Sequence, residues 1–354
     1  MRLPKTFKII ELGCPKSEVD SSHLAAVLED RGLVRIWDEG GHADITIVNT
    51  CAFLQETKNT SLRTLRALKA EGDSLVVAFG CLVEGYRREA REAADVIIGL
   101  TEIGAAYEAI ESFVAKGRLQ RKAGALPDPA PRSLEHRSYH YLKIAEGCSN
   151  FCRYCRIPQF RGRFRSRPLK NILDEAGSLF DAGTREIVLV AQDVARWGED
   201  IYGRPRLEYL LERLARIADG RWIPLLYLHP ARVTKELVAL VAQEPSICSY
   251  LDIPIQHVSD AVLARMGRPH GTKNPRFIVD WIRENHPDVA IRTTVMVGYP
   301  SETDRDFDEL YSFCRSVEFD HLGAFAFSPE PKTPARRMKG QVPEDVKADR
   351  LARI

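Results

Sequence analysis

The chain reads as an α/β protein: an amino-terminal parallel α/β domain followed by a partial (βα)6 barrel. Three observations predict this. Strand-like and helix-like patterns alternate through the first 114 residues. A second run of six such alternations begins near residue 139. Between them lies a stretch, AGALPDPAPRS at 123–133, rich in proline and small residues as an extended connector should be.

In the first run, strands are expected at 7–12, 45–48, 75–79 and 96–98. Helices are expected at 19–28, 57–68, 86–94 and 105–114. Short apolar strands between amphipathic helices imply a parallel sheet covered on both faces. In the second run, strands are expected at 141–145, 186–191, 225–228, 250–253, 291–297 and 323–327. Helices fall at 169–182, 207–218, 234–243, 261–266, 274–284 and 304–316. Six units make an open barrel rather than a closed eight-stranded one. A last helical pattern at 343–354 starts with a proline and acids and stops without a cap or glycine. That ending points to a chain that stops before a third module, or has lost one. The expected domains are therefore 1–122, a linker 123–137, 138–340, and the start of a further helix at 341–354.

Composition sets bounds. At 354 residues the chain is too long for one ordinary core. Its formal net charge of +2 does not argue for a general nucleic-acid binder. No apolar run is long enough for a transmembrane helix, and the start is not a signal peptide. The expected location is cytoplasmic, where cysteines serve more often as metal ligands or catalysts than as disulfides.

The eight cysteines are then the chemistry to explain. Cys148, Cys152 and Cys155 form CxxxCxxC, with Tyr154 just before the last. Three thiolates on a 4Fe-4S cube leave one iron open to a substrate. The alternative is a zinc loop, which usually needs a fourth ligand at matching spacing. Cys14, Cys51 and Cys81 each follow a predicted strand of the first domain. In a parallel sheet those ends share one edge, where such sheets bind ligands, so the three should converge. Helix N-termini there also favour thiolates. Taken singly, each reads as a buried structural cysteine; three at equivalent positions favour a second cluster. Cys248 and Cys314 have no partner spacing and read as structural. An electron carrier fits less well, because such proteins normally give each cluster four ligands.

The CxxxCxxC loop resembles the signature of the radical S-adenosylmethionine (SAM) enzymes. Two triads in this order resemble the methylthiotransferases of that group, over essentially the whole chain. LGCPK at 12–16, VDS at 19–21, YLHP at 227–230, YLDIPIQH at 250–257, RTTVMVGYP at 292–300 and FSPE at 327–330 look like the RimO type. The tRNA-modifying branch usually has Gln after the first Gly-Cys, where this chain has Pro15-Lys16. Ser17 stands where the RimO pattern usually has Asn, and Ala52 where Gly is usual. The family also continues into a small β-barrel module, TRAM, and nothing follows Ile354 in this sequence.

The resemblance implies two 4Fe-4S clusters and SAM as cofactors. Cys148, Cys152 and Cys155 would hold the cluster that reductively cleaves SAM to a 5′-deoxyadenosyl radical; Cys14, Cys51 and Cys81 would hold an auxiliary cluster carrying sulfur. The radical would take hydrogen from the β-carbon of an aspartate in a small-subunit ribosomal protein, where a methylthio group is then inserted. Methylthiolation of tRNA adenosine, or of another peptide, is the alternative. An electron donor such as a flavodoxin or ferredoxin would be the partner, with no membrane involved. Tyr154 and Val297 are expected near the adenine, Gln192 and Asp193 near the methionyl amine, and Arg292 at the carboxylate. His229 and His257, at strand ends, are either ligands or rings bonded to backbone. A run of bases, Arg153, Arg156, Arg161, Arg163, Arg165, Arg167 and Lys170, either offsets cluster charge, docks an acidic or RNA-rich target, or is a solvated face.

Overall fold

The computed structural model describes residues 4–38, 40–116, 124, 128, 132–135 and 137–354. Most of the proline-rich connector lies outside the described residues. The described residues form two compact units. The first comprises residues up to Arg137 together with Gln159–Arg161; the second comprises Ser138–Pro158 and Gly162–Ile354.

In the first unit the elements run β1 (Thr6–Glu11), α1 (Pro15–Asp30), β2 (Val34–Arg35), β3 (Ile45–Thr50), α2 (Gln55–Glu71), β4 (Leu75–Gly80), α3 (Cys81–Gly85), α4 (Arg87–Ala93), β5 (Val96–Ile98) and α5 (Ala106–Lys116). All strands are parallel, in the order β2-β1-β3-β4-β5. Strand β3 is central, and every residue of ITIVNT is buried, as a strand covered on both faces requires. Its side chains alternate between two cores. Ile45 and Ile47 join Phe7, Leu24, Leu28 and Ile110; Val48 joins Leu62, Leu65, Leu82 and Ala90. Sequence order reverses between β1 and β3, which makes their carboxyl ends the expected binding crevice. Two elements here were not expected: the two-residue edge strand β2 and the single helical turn α3, which starts on Cys81 itself.

In the second unit the elements are β6 (Tyr139–Lys143), β7 (Ala145–Glu146), α6 (Ile157–Arg161), β8 (Arg165–Ser166), α7 (Leu169–Asp181), β9 (Glu186–Val190), α8 (Glu199–Tyr202), α9 (Leu207–Ala218), β10 (Ile223–Leu225), α10 (Lys235–Gln243), β11 (Ile247–Asp252), α11 (Asp260–Met266), α12 (Pro275–Asn285), β12 (Ala290–Val297), α13 (Asp304–Val317), β13 (His321–Ala326) and α14 (Glu344–Arg353). Helix α6 begins in this unit, but its last three residues pack in the first. The sheet order is β13-β12-β11-β10-β9-β6, all parallel. Among the described residues the sheet has two unpaired edges, so it is the open six-stranded barrel that the alternation predicts. Strands β7 and β8 pair antiparallel and clamp the base of the cysteine loop.

Helix α14 is tied to the end of β12. Arg350 donates to Glu302 Oε1 at 2.9 Å and to Asp304 at 2.7 Å. Buried Lys347 lies against Gly298, where a Cβ would meet its Cγ at 2.3 Å.

Candidate active site

At the carboxyl edge of the first sheet, Cys14 follows β1 and caps α1, Cys51 follows β3, and Cys81 follows β4. The charges of Cys14 and Cys51 both act on the Cys81 thiol, so the three sequence-distant cysteines do converge. One serine hydroxyl holds each of the first two. Ser17 Oγ accepts from Cys14 N (2.7 Å) and donates to Cys14 O (2.8 Å). Ser61 Oγ does the same for Cys51, at 3.1 and 2.9 Å. The third is set by Gly80, whose φ of +95° puts the chain in a conformation suited to glycine. A Cβ there would stand 2.8 Å from Asn49 Oδ1.

Beneath these turns Asn49 is fully buried. Its Nδ2 contacts Glu11 Oε2, Ser17 O and Ser21 Oγ, while its Oδ1 has no hydrogen-bond partner. Arg161 Nη2 stands 3.5 Å from Cys81 Sγ. Desolvation raises the Cys14 thiol, but Lys16, Arg161 and hydrogen bonds from Ser17 outweigh it and leave its pKa below the usual value. Burial pushes the Cys81 thiol up to about 11 despite Arg161.

In the second unit Cys148, Cys152 and Cys155 follow β6 and β7 on one loop. Cys148 N donates to Gly162 O (3.1 Å), Cys155 N to Cys152 O (2.9 Å), and Arg153 N to Met266 O (2.9 Å). Phe151, exposed between the first two cysteines, has φ +51°, an uncommon conformation for an aromatic residue. Burial, with the neighbouring thiols, pushes Cys155 up to about 12. Burial also raises Cys148, with Asp193 adding to the effect.

Around this loop stand the neighbouring strand ends. Asp193 is fully buried; its Oδ2 accepts from Asn150 Nδ2 (2.8 Å) and Arg232 Nη1 (2.9 Å). Burial raises its pKa more than Arg232 and Asn150 lower it. Its Oδ1 has no partner, and neither does Gln192 Oε1. Gln192 Nε2 is tethered to Glu146 at 2.7 Å. His229 accepts from Ala231 N at 3.4 Å; burial, then Arg268, Arg232 and Arg196, hold its pKa down to about 2. It is therefore a neutral ring bonded to backbone. So is His257, which accepts from Ser259 N at 3.0 Å and faces Glu302 rather than the cysteines.

Arg268 was not foreseen. Its buried guanidinium stands 3.7 Å from Cys152 Sγ and 3.3 Å from Tyr154 Oη, and donates to Pro254 O at 2.7 Å. It sits just past the end of α11, more than a hundred residues from the loop it supports; its place in the turn Met266-Gly267-Arg268-Pro269 was the signal available. Tyr154 packs edge-on to Tyr299, with centroids 6.4 Å apart.

Two of the expected SAM contacts do not join this constellation. Arg292 is the third residue of β12, exposed, and hydrogen-bonds Tyr250 near the amino-terminal end of the sheet. Val297 lies on the face of β12 opposite Met296. With Ile291, Thr293 and Val295 it is fully buried on one face, while Met296 on the other packs with Met266, Tyr299 and Tyr154. The run of bases also divides. Arg161 pairs with Asp20, Arg167 with Glu175 and Lys170 with Asp174, and Arg156 is buried; Arg153, Arg163 and Arg165 are exposed. The stretch is not one basic face. Cys248 and Cys314 stand apart, pushed up by burial to about 11 and about 12.

Residues 142–314 match the Radical SAM superfamily, and residues 6–99 match Uncharacterized protein family UPF0004. The ribosomal protein uS12 methylthiotransferase RimO of Geobacter sulfurreducens is 42% identical over 359 residues, covering 98% of this chain and 80% of that protein. The Moorella thermoacetica protein of the same name is 40% identical, covering 98% and 82%. The chain belongs to the RimO-type radical SAM methylthiotransferases. Solved structures share its fold. The radical SAM methyltransferase TsrM from Kitasatospora setae has a TM-score of 0.67 at 15% identity, covering 94% of this chain and 77% of that one. The cobalamin-dependent radical enzyme OxsB has a TM-score of 0.63 at 10% identity, covering 99% and 55%.

Enzymes of this family take SAM and 4Fe-4S clusters, and the donor sets here suit them. Among the described residues no three His, Cys, Asp or Glu side chains are arranged to hold a single metal ion. The two cysteine triads would instead hold clusters, each thiolate on its own iron. Thiols raised by burial ionise on ligation, since the cation replaces the lost water. The orphaned Asp193 Oδ1 and Gln192 Oε1, acceptors at a cluster-like loop, suit a cationic amine. Among the described residues no helix is long and apolar enough to cross a membrane.

Proposed function

We propose that this enzyme inserts a methylthio group at the β-carbon of an aspartate in ribosomal protein uS12. The observation that supports this most is the pair of three-cysteine sites, each at the carboxyl edge of its own parallel sheet, in a chain about 40% identical to RimO proteins along nearly its whole length. In this reading 1–122 is the auxiliary-cluster domain, 138–340 the radical SAM domain, and 341–354 carries helix α14. Cys148, Cys152 and Cys155 hold the cluster that binds SAM, and Cys14, Cys51 and Cys81 hold the auxiliary one. When bound, the two clusters and SAM supply a hydrogen-abstracting radical and a methylated sulfur donor.

The chain's own residues orient these groups. Asp193 Oδ1 and Gln192 Oε1, both without a partner, would accept from the methionyl ammonium. Arg232 and Asn150 fix Asp193 through its other oxygen, and Glu146 fixes Gln192, so both acceptors are set before SAM arrives. Tyr154, held by Arg268 and Tyr299, would form a wall for the adenine together with Met296. The electron donor is a flavodoxin or ferredoxin, and the compartment the cytoplasm.

Turnover tests this. Reconstituted enzyme, SAM and dithionite are given a peptide spanning the uS12 loop or bulk tRNA, with products read by mass spectrometry. A methylthio group on the peptide aspartate is the expected result. Modified tRNA with the peptide untouched would replace uS12 by the nucleic-acid substrate.

A further inference from the structure

Arg161 lies six residues beyond Cys155, yet it packs within the first unit. Its guanidinium and the carboxylate of Asp20 are almost buried, with side chains 4% and 5% exposed, and Nη1 meets Oδ2 at 2.6 Å. Nη2 stands 3.5 Å from Cys81 Sγ, and the charge also acts on Cys14. Phe160 also anchors the segment, in the apolar cluster with Leu82, Val83 and Ala90. A buried ion pair seldom stabilises more than apolar residues of the same volume, so its stability alone is a weak reason for it. What the guanidinium faces is the cysteine triad.

We infer that Arg161, oriented by Asp20, is a positioning residue that sets the charge and reduction potential of the first-unit cluster through Cys81. This rests on the reading that Cys14, Cys51 and Cys81 hold a cluster. An N–H donor and a positive charge at a ligand sulfur favour the reduced, more negative cube, and so raise its potential. Asp20 opposes this by compensating part of the charge. Aspartate 20 also sits on α1, the helix that Cys14 caps, so the pair spans two of the three cysteine turns. Removing the two partners must therefore shift the potential in opposite directions. A pair that only held the fold together would give no such sign change.

The test uses the full chain with Cys148, Cys152 and Cys155 all changed to Ala, so that one cluster is read. Its midpoint is followed by paramagnetic resonance during titration with dithionite. In that background Arg161→Met should move the midpoint to more negative potential and Asp20→Asn to more positive. Arg161→Lys, which keeps the charge, should restore most of the parental value. Should Arg161→Met fail to load iron, the upward shift in Asp20→Asn decides. A loaded parent whose midpoint ignores both changes, or shifts the same way in both, overturns this inference alone. A parent that binds no iron overturns the cluster reading and this inference with it.

Discussion

Replacing Gly13 with alanine should loosen the Cys14 turn by an amount the structure allows to be worked out. A Cβ at residue 13 would stand 1.9 Å from Ser17 Oγ and 2.9 Å from its Cβ, with Asn49 Oδ1 at 3.4 Å. Ser17 is buried and cannot swing into solvent, so its hydroxyl must leave the Cys14 backbone. Two hydrogen bonds are lost at about 0.5–1 kcal/mol each. Overpacking adds about 1–2 kcal/mol. The total is about 2–4 kcal/mol, confined to the start of α1. Native-state hydrogen exchange on the whole chain reads it locally: amides of β1 and α1 should exchange about 30- to 1,000-fold faster, while those of β9 and β12 stay unchanged. Ser17→Ala removes the worst overlap, so the double variant should cost little more than Ser17→Ala alone, a coupling of about 2–3 kcal/mol. Wild-type exchange in Gly13→Ala, or strictly additive costs in the double variant, would refute the argument.

Three further outcomes follow from the second unit. Arg350→Ala removes the partner of fully buried Glu302, and should cost about 3–5 kcal/mol of unfolding free energy in urea titration. His257 is neutral in the fold, its pKa held by burial at about 3 against 6.5 when unfolded. The unfolded chain therefore binds the extra proton first, so stability is full above pH 6.5 and falls as pH drops towards 3, by up to about 1.4 kcal/mol per unit. His257→Gln should flatten that slope, and an unchanged slope would remove His257 as its source. Asp193→Ala should weaken SAM binding at least tenfold by calorimetry, because it removes both the free acceptor and the charge that Arg232 and Asn150 hold in place.

Much of the site was legible because its position follows from topology. A cysteine after a strand of a parallel sheet must lie on the carboxyl edge, so Cys14, Cys51 and Cys81 could be grouped without knowing any distance. The local spacing of Cys148, Cys152 and Cys155 likewise placed them on one loop. What periodicity did not reveal was which face looks inward at the apolar end of a strand buried on both sides. In RTTVMV at 292–297 nothing in the pattern separates Met296 from Val297, and only packing does. Arg268 was hidden for a different reason: its partners, Cys152 and Tyr154, lie over a hundred residues away, and a lone arginine after a helix reads as solvated. The bases from Arg153 to Lys170 are neighbours in sequence but not in space, so no single one of the roles open to them from sequence fits all. Burial of Arg161 and Arg156, and the Arg167–Glu175 pair, divide them.

The proposed function divides the labour between the two triads: one would generate the radical and the other would make the reaction a sulfur transfer. The direct test is single-turnover assay of Cys14→Ala/Cys51→Ala/Cys81→Ala beside wild type, counting 5′-deoxyadenosine and methylthiolated uS12 peptide in the same sample. The triple variant should still form 5′-deoxyadenosine with SAM and dithionite but yield no methylthio product. Methylthio product from that variant, at a level near wild type, would contradict the claim.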